Sequence, residues 1–274
     1  MATTRDRWHT SLRVLIAAIV LSAASDASGE GSDGPAGTAA TAALAGEYRH
    51  SAVSPAGNTR RSVATIAPRG AGFGVAWEED GGNLFGGIGL SLDGVFGAAY
   101  TEALDGSFRG EGVLAYRIRG GTLDGVRLPY GSSGDSLIEE TLEGSPALEG
   151  RFIIAHSRGG DGTSDRSGYV EIVRLGDTYQ MTWFTPERSF EGVGLRIGDV
   201  LVAGYAHGFA PGVIAYCADA GLLSGIATYG HTGLIGADRM KRVNAANAGA
   251  SGEPSTRCRD AIAKWNPSLA RGGA

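Results

Sequence analysis

Six aromatic residues recur at matching positions in the two halves of the sequence and could line a ligand site. The pairs are Trp77 with Trp183, Tyr100 with Tyr205, and Tyr116 with Tyr216. An indole offers a broad apolar surface with one N–H donor, and a phenol adds a hydroxyl that donates or accepts a hydrogen bond. The pattern predicts ligand-binding positions. The alternative is core packing, with the hydroxyl groups at the rim of the core.

Acidic residues near the end of each half are the candidates for acid–base chemistry. They are Glu139 or Glu140 in the first half and Asp238 in the second. A carboxylate that faces an apolar barrel mouth has a raised pKa and can serve as a general acid or base. Strands that end in solvent carry the same residues without any catalytic role. The sequence therefore favours a non-enzymatic protein and leaves a barrel-type isomerase or cyclase as an alternative.

No motif of a known hydrolase or metalloprotease is present. The sequence lacks Gly-x-Ser-x-Gly, His-Glu-x-x-His and any Ser, His and acid grouping that occurs in both halves. His50 has no histidine counterpart in the other half. His156, His207 and His231 could meet at one barrel end and bind a metal, but satisfied or solvated histidines are the simpler explanation. We therefore expect no catalytic residue, no metal and no cofactor.

A long internal repeat organises these residues. The run Gly-Val-Leu-Ala-Tyr at 112–116 returns as Gly-Val-Ile-Ala-Tyr at 212–216, and each is followed by Gly-x-Leu-x-Gly. The chain therefore contains two copies of one unit. Repeat 1 covers about 46–142 and repeat 2 about 150–240.

Short β-rich runs alternate with turn residues inside each repeat. Gly-Asp pairs at 176–177 and 198–199 separate successive runs in the manner of hairpin turns. Tyr179 and Trp183 alternate with polar residues and should face the interior. Eight short antiparallel strands can close into a barrel without free edges. We predict an all-β protein of two tandem antiparallel up-and-down eight-stranded β-barrels, one for each repeat, with a short C-terminal helix at 255–265.

A small eight-stranded barrel is either filled by side chains or wide enough for one small ligand. Gly-x-Gly pairs at 87–89 and 192–194 remove volume from the predicted interior, as do Ala99, Ala115 and Gly204. The aromatic positions add volume in other strands. A dry core of interdigitating large and small residues is the favoured interpretation, and an open cavity is the alternative.

Composition and charge narrow the possible partners. Glycine contributes 46 of 274 residues without a collagen period, as expected for an all-β chain with many tight turns. The net charge is −5. Because no basic field is available to hold a phosphate backbone, we expect no nucleic-acid partner.

The N-terminal segment is typical of an export signal. Three arginines precede an apolar run at 14–24, and small residues follow it. We predict a signal peptide at 1–27 with cleavage near Ser28, a flexible leader at 28–45 and no transmembrane span after cleavage. The mature protein would then be periplasmic or secreted. A linker and tail occupy 241–274.

Two cysteines occur in this exported chain, Cys217 in the repeated strand and Cys258 in the tail. An even number of cysteines outside the cytosol favours a disulfide over a metal site. We predict that a Cys217–Cys258 bridge ties the tail to repeat 2.

The order of these motifs resembles known families. Each repeat opens with Gly-x-aromatic (46–48 and 150–152), and a strand-ending Trp, Gly-x-Gly, a strand ending in Tyr, Gly-Val-x-Ala-Tyr and Gly-x-Leu-x-Gly follow. This order is similar to tandem repeats in exported proteobacterial and planctomycete proteins sometimes labelled fibronectin-binding-like. The opening also resembles, more distantly, the Gly-x-Trp of avidins and lipocalins, with Tyr48 and Phe152 in place of Trp. The resemblance implies eight-stranded barrels of the calycin/avidin-like kind and assigns no ligand-binding residue.

Two binding functions follow from these observations. Export, repetition and the lack of catalytic motifs favour an exported non-enzymatic binding protein that recognises a macromolecule or a cell-envelope component. The alternative is a carrier that holds a small apolar ligand inside a barrel, which requires an open cavity.

Overall fold

The computed structural model describes residues 43–103, 105–131, 137–159, 167–219, 221–228, 232–243 and 260. The regular elements with assigned ranges in this part of the chain are sixteen β-strands. Repeat 1 supplies β1 Gly46–Val53, β2 Thr59–Arg69, β3 Gly72–Glu79, β4 Leu84–Leu92, β5 Val95–Glu102, β6 Gly112–Arg119, β7 Thr122–Pro129 and β8 Ile138–Gly144. Repeat 2 supplies β9 Gly150–Arg158, β10 Tyr169–Leu175, β11 Thr178–Phe184, β12 Ser189–Ile197, β13 Val200–Ala206, β14 Gly212–Asp219, β15 Leu222–Thr228 and β16 Ile235–Arg242.

The strands form two closed antiparallel barrels of eight strands each, which confirms the predicted fold class. One of them, the continuous barrel, uses the uninterrupted stretch from β6 to β13. The other, the split barrel, combines β1 to β5 with β14 to β16. The chain thus leaves the split barrel after β5, builds the whole continuous barrel, and returns to close the split barrel.

The prediction that each repeat closes its own barrel, at 46–142 and 150–240, is wrong. Each barrel takes five strands from one repeat and three from the other. The first strand, β1, pairs with β16, and β8 pairs with β9 across the junction between the repeats. The three-strand units β6–β8 and β14–β16 have therefore changed places.

The exchange is possible because the two three-strand units carry the same motif. Tyr216 lies opposite Phe96 where β14 joins β5, and Tyr116 lies opposite Leu201 where β6 joins β13. Phe96 and Leu201 occupy the same position of the repeat. Each three-strand unit therefore pairs with the other repeat in the same register that it would have with the strands of its own repeat. Exchange of equivalent elements costs few contacts for this reason.

Residues alternate between the barrel interior and its outside along each strand, as a pleated strand requires. Val75 and Trp77 pack inside the split barrel, and Met181 and Trp183 pack inside the continuous barrel. This confirms the predicted inward direction of the aromatic series. Each barrel has its own apolar interior.

A third apolar cluster lies where the outer faces of the two barrels meet. It contains Val95 and Ala99 of the split barrel together with Val202 of the continuous barrel. Strand β13 is buried along its whole length, since one of its faces lines a barrel and the other lies in this contact. Ala99, Ala115 and Gly204, which the sequence placed inside the barrels, lie on the outer faces that meet here. Small residues therefore let the barrels approach closely.

The first glycine of each Gly-x-Gly pair makes room for a tryptophan ring. A Cβ on Gly87 would stand 3.0 Å from the Trp77 ring, and one on Gly192 would stand 2.7 Å from the Trp183 ring. Each indole therefore lies directly on the backbone of the neighbouring strand. The volume that these glycines remove is filled by aromatic rings, which agrees with the predicted interdigitation of large and small residues.

The predicted N-terminal and C-terminal segments fall largely outside the described residues. This applies to the signal peptide at 1–27, to the leader at 28–45 except 43–45, and to the tail at 241–274 except 241–243 and Asp260. Of the predicted helix at 255–265, only Asp260 is described. In the described ranges, no helix is both long enough and apolar enough to cross a membrane.

Of the two cysteines in the predicted disulfide, Cys217 lies among the described residues. Cys217 is buried on β14, in the contact between the barrels. The described residues include no free cysteine thiol. Cys258 lies outside the described part, so the Cys217–Cys258 bridge stays a prediction.

Candidate functional site

The six predicted aromatic residues fall into two groups of three, one in each barrel. The split barrel contains Trp77, Tyr100 and Tyr216, and the continuous barrel contains Tyr116, Trp183 and Tyr205. The ring pairs have the same geometry. The Trp77 and Tyr100 centroids are 5.8 Å apart, and those of Trp183 and Tyr205 are 5.7 Å apart. Equivalent aromatic frames therefore surround both interiors.

An acid lies beside a tyrosine hydroxyl in each interior. The Tyr216 hydroxyl donates to Oδ1 of Asp238 at 2.5 Å, and the Tyr116 hydroxyl donates to Oε1 of Glu140. Asp238 and Glu140 are each only 1% exposed, whereas Glu139 is exposed. Of the acids singled out in the sequence, Asp238 and Glu140 therefore lie inside the barrels.

The interior of the continuous barrel is closed by a buried ion pair. Arg127 Nε lies 3.6 Å from Glu140 Oε2, with side-chain exposures of 4% and 0%. Arg127 Nη1 also donates to the Tyr205 hydroxyl at 3.2 Å, and Ser157 donates to Glu140 at 3.3 Å. Although burial alone would lower the pKa of Arg127, Tyr205 and Glu140 raise it above its usual value. The guanidinium group is therefore charged, and it occupies the space between an acid and a tyrosine.

The split barrel lacks this arginine. Leu114 pairs with Arg127 in one barrel, and at the same place in the other Ile214 pairs with Ala227. A cavity of about 200 Å³ is present here. Ala227, Tyr100 and Asp238 line it, and the last two are the counterparts of the groups that Arg127 contacts. The position at which Arg127 lies between an acid and a tyrosine in one barrel is thus held by alanine beside the cavity of the other.

A histidine and a serine complete the wall of this cavity. His50 Nε2 lies 2.8 Å and 2.9 Å from the two carboxylate oxygens of Asp238. His50 Nδ1 lies 2.5 Å from the hydroxyl oxygen of Ser62. His50, Ser62 and Asp238 all line the cavity. The structure thus brings a hydroxyl, an imidazole and a carboxylate into one continuous chain of hydrogen bonds.

The hydrogen-bond chain fixes the tautomer of the neutral imidazole. A carboxylate only accepts hydrogen bonds, so His50 Nε2 must carry the proton that faces Asp238. In this tautomer His50 Nδ1 has a free lone pair and accepts a hydrogen bond from the Ser62 hydroxyl. The Ser62 hydroxyl then faces an imidazole whose other nitrogen is held by an acid.

Neither His50 nor Ser62 was assigned a role from the sequence. The continuous barrel has Ile154 where His50 stands, since the two residues face Leu142 and Met240 at equivalent positions. Gly168 is the counterpart of Ser62. A search for groupings present in both repeats could not find this site, because it exists only in one. The signal lay in the differences between the repeats, at positions that should face a barrel interior.

The remaining walls of the cavity are apolar inside and charged at the mouth. Trp77 and Phe85 contribute aromatic surface, while Arg60 and Glu79 lie at the mouth and approach to 3.5 Å. The Trp77 indole N–H makes no hydrogen bond of ordinary geometry, although it is close enough to the Tyr216 hydroxyl to lower the pKa of that phenol. The indole N–H is therefore buried beside Tyr216 and is not exposed to the cavity.

Burial of Tyr216 predicts a loss of stability in alkali. Burial raises the pKa of Tyr216 well above its usual value of 10.0, and the Asp238 charge raises it further. The phenol ionises near pH 10 once the chain unfolds and stays protonated while it is folded. The free energy of unfolding should therefore fall above pH 10, by about 1.4 kcal/mol per pH unit for this group. Urea denaturation at pH 9, 10 and 11 measures the slope. Tyr216→Phe should reduce it, and an unchanged slope would contradict the assignment.

Two of the three histidines that could form a metal site, His156 and His207, lie among the described residues. His156 and His207 are exposed, and His207 Nδ1 lies 3.1 Å from the Ser189 carbonyl oxygen. His231 lies outside the described residues. Among the residues that are described, no three His, Cys, Asp or Glu side chains are grouped so that they could hold a metal ion.

A second cavity, of about 170 Å³, is lined by residues of β11 and β12 with Leu175 and Ala210. None of the six predicted aromatic residues lines it. Of these two cavities, which lie among the described residues, the cavity of the split barrel combines aromatic walls with the hydrogen-bond chain. The chain matches no known family, no curated protein and no solved structure.

Proposed function

We propose that the split barrel binds one small molecule in its interior and that the continuous barrel serves as its structural support. The observation that carries this proposal is the presence of Ala227 at the position where Arg127 fills the other barrel. The two interiors share their Trp, Tyr and acid positions. A charged plug is present in one and absent from the other.

The size of the cavity supports a ligand about as large as a substituted benzene ring. Its volume is about 200 Å³, and an apolar cavity of about 150 Å³ is known to accept benzene. Trp77, Phe85 and Tyr100 would cover the faces and edges of a ring. Ser62 and His50 would meet a carbonyl or hydroxyl group. The ligand class is therefore a small, mostly apolar molecule with one hydrogen-bonding oxygen.

Recognition of a macromolecule or cell-envelope component, the other function expected from the sequence, stays a prediction. So does export to the periplasm or beyond. A small envelope-derived molecule could satisfy both expectations. The cavity gives the small-ligand proposal a defined place where it can be tested.

Phenol is a suitable probe of this proposal, and the tryptophan side chains report its position. The chain contains four tryptophans, so a nitrogen–proton correlation spectrum resolves few indole signals. Trp77→Phe and Trp183→Phe assign the two that matter. Addition of phenol should move the Trp77 signal in a saturable manner, because Trp77 lines the cavity. The Trp183 signal should stay in place, because its ring lies in the filled interior.

Because Trp77 and Trp183 occupy equivalent positions in the two barrels, the Trp183 signal is an internal control for the response of Trp77 to phenol. Both are buried, and both pack on a glycine and a tyrosine. A nonspecific effect of phenol would move both signals alike. Equal movement, or a Trp77 signal that does not respond at saturating phenol, would overturn the proposal.

A further inference from the structure

The hydrogen-bond chain at the edge of the cavity indicates chemistry as well as binding. We propose that Ser62 is a nucleophile, that His50 is its base, and that the split barrel hydrolyses small carboxylic esters. This rests on the proposed function, because the ester must first enter the cavity. The residues concerned are Ser62, His50, Asp238 and Tyr216, which come from both segments of the split barrel.

The arrangement meets the geometric conditions for an activated serine. The Ser62 oxygen lies 2.5 Å from His50 Nδ1, within the reach that proton transfer to a base requires. Asp238 contacts the other ring nitrogen at 2.8 Å. Asp238 is itself held by the Tyr216 hydroxyl. Asp238 and Tyr216 are therefore positioning residues, while Ser62 and His50 would exchange the proton.

The site also stands where a substrate can reach it. Ser62 is 7% exposed and the His50 side chain 10% exposed, and both line the cavity of about 200 Å³. A serine, histidine and acid used only for packing would have no need of a cavity. The nucleophile thus has room for an acyl group beside it.

The other barrel lacks this arrangement, because Gly168 stands at the position of Ser62 and Ile154 at the position of His50. A different serine, Ser157, donates a hydrogen bond directly to Glu140, and Arg127 neutralises that acid. Ser157 is therefore a second serine beside a buried acid, at a position not equivalent to Ser62, and it serves as a comparison within the same chain.

The reaction is balanced by the groups present and by water. Ser62 Oγ attacks the carbonyl carbon of the ester as its proton passes to His50 Nδ1. The carbon–oxygen bond to the alcohol then breaks, and the leaving alcohol takes the proton from His50. Water attacks the resulting acyl-Ser62, His50 accepts one water proton and returns a proton to Ser62 Oγ, and the carboxylic acid is released.

A donor in the wall could stabilise the negative charge that develops on the carbonyl oxygen. Arg60 lines the cavity and lies two residues before Ser62 on β2, so both side chains point to the same face of the strand. A donor directed at a developing oxyanion is a large part of catalysis in acyl transfer. It favours an ester over an ether or an amine as the substrate class.

Covalent labelling of Ser62 tests this proposal directly. The full chain is incubated with diisopropyl fluorophosphate, and the labelled serine is located by peptide mass spectrometry. Ser62 should be labelled and Ser157 should not. His50→Gln should lower the labelling rate about 100-fold or more, because the base is lost. Ser157→Ala should leave the labelling of Ser62 unchanged. Hydrolysis of phenyl acetate should likewise be slowed about 100-fold or more by His50→Gln, and Ser157→Ala should leave its rate unchanged.

The phenol titration of the same variants separates the two proposals. If phenol moves the Trp77 signal but Ser62 is not labelled and phenyl acetate is not hydrolysed, the nucleophile is refuted and the binding proposal stands. If phenol does not bind, the proposed function itself fails. Equal labelling in His50→Gln and in the unaltered protein would also refute activation by His50. An unchanged indole spectrum shows that each variant has kept its fold.

Discussion

Arg127→Ala is expected to lower the free energy of unfolding by about 3–5 kcal/mol, because it leaves Glu140 buried without its cationic partner. Glu140 is fully covered and lies 3.6 Å from Arg127. Removal of the guanidinium group also takes a donor from the Tyr205 hydroxyl and leaves a space inside the continuous barrel. Urea denaturation followed by circular dichroism measures the change.

Arg117→Ala is the matched control for this prediction. Arg117 also pairs with a carboxylate, that of Asp93, at 2.5 Å, but the two side chains are 30% and 47% exposed. Ion pairs exposed to solvent contribute about 0.2–1 kcal/mol, so this substitution should cost little. If Arg127→Ala costs no more than Arg117→Ala, Arg127 is not the plug that stabilises the continuous barrel.

The fold class could be predicted from the sequence, but the pairing of the strands could not. Alternating apolar residues and Gly-Asp turns are local signals that predict each strand. Closing the strands into barrels pairs the backbone groups that edge strands would leave exposed. The choice of partner depends on contacts between distant segments. Strand β8 could pair with β1 or with β9, and its motif fits either one because the repeats are alike. No local signal distinguishes a barrel made from one repeat from a barrel made from parts of two.

The aromatic frame of the site could be predicted from the repeat, but its chemistry could not. Trp77, Tyr100 and Tyr216 were singled out because they recur. Trp77 and Tyr100 line the cavity, and Tyr216 lies in the core of the same barrel, where it holds Asp238. The same rule selected Trp183 and its neighbours, which enclose an interior filled by Arg127. Recurrence thus identifies the residues that build a barrel.

The residues that distinguish the split barrel from the continuous barrel are those that do not recur in the two repeats. His50 and Ser62 lie twelve residues apart in the sequence, and the pairing of β1 with β2 places them opposite each other. Asp238 reaches them from β16, far along the chain. That approach depends on the exchange of strands between the barrels, which the sequence did not reveal. Asp238 could be marked as a candidate acid, but its partner could not be named.

Ala227→Arg is expected to fill the cavity of the split barrel and to abolish binding of a small ligand. An arginine at this position should reach Asp238 and Tyr100, as Arg127 reaches Glu140 and Tyr205 in the continuous barrel. The fold should tolerate the change, because the equivalent position of the repeat already accommodates an arginine. Ala155→Arg, which places the same side chain at an exposed position of β9, is the control for the added charge.

The phenol titration of Ala227→Arg, followed through the Trp77 indole signal, tests the central claim most directly. We predict that the signal no longer moves in Ala227→Arg and still moves with the original saturation curve in Ala155→Arg. A Trp77 signal that responds to phenol equally well in a correctly folded Ala227→Arg protein would contradict the claim that alanine in place of arginine opens the split barrel to a ligand.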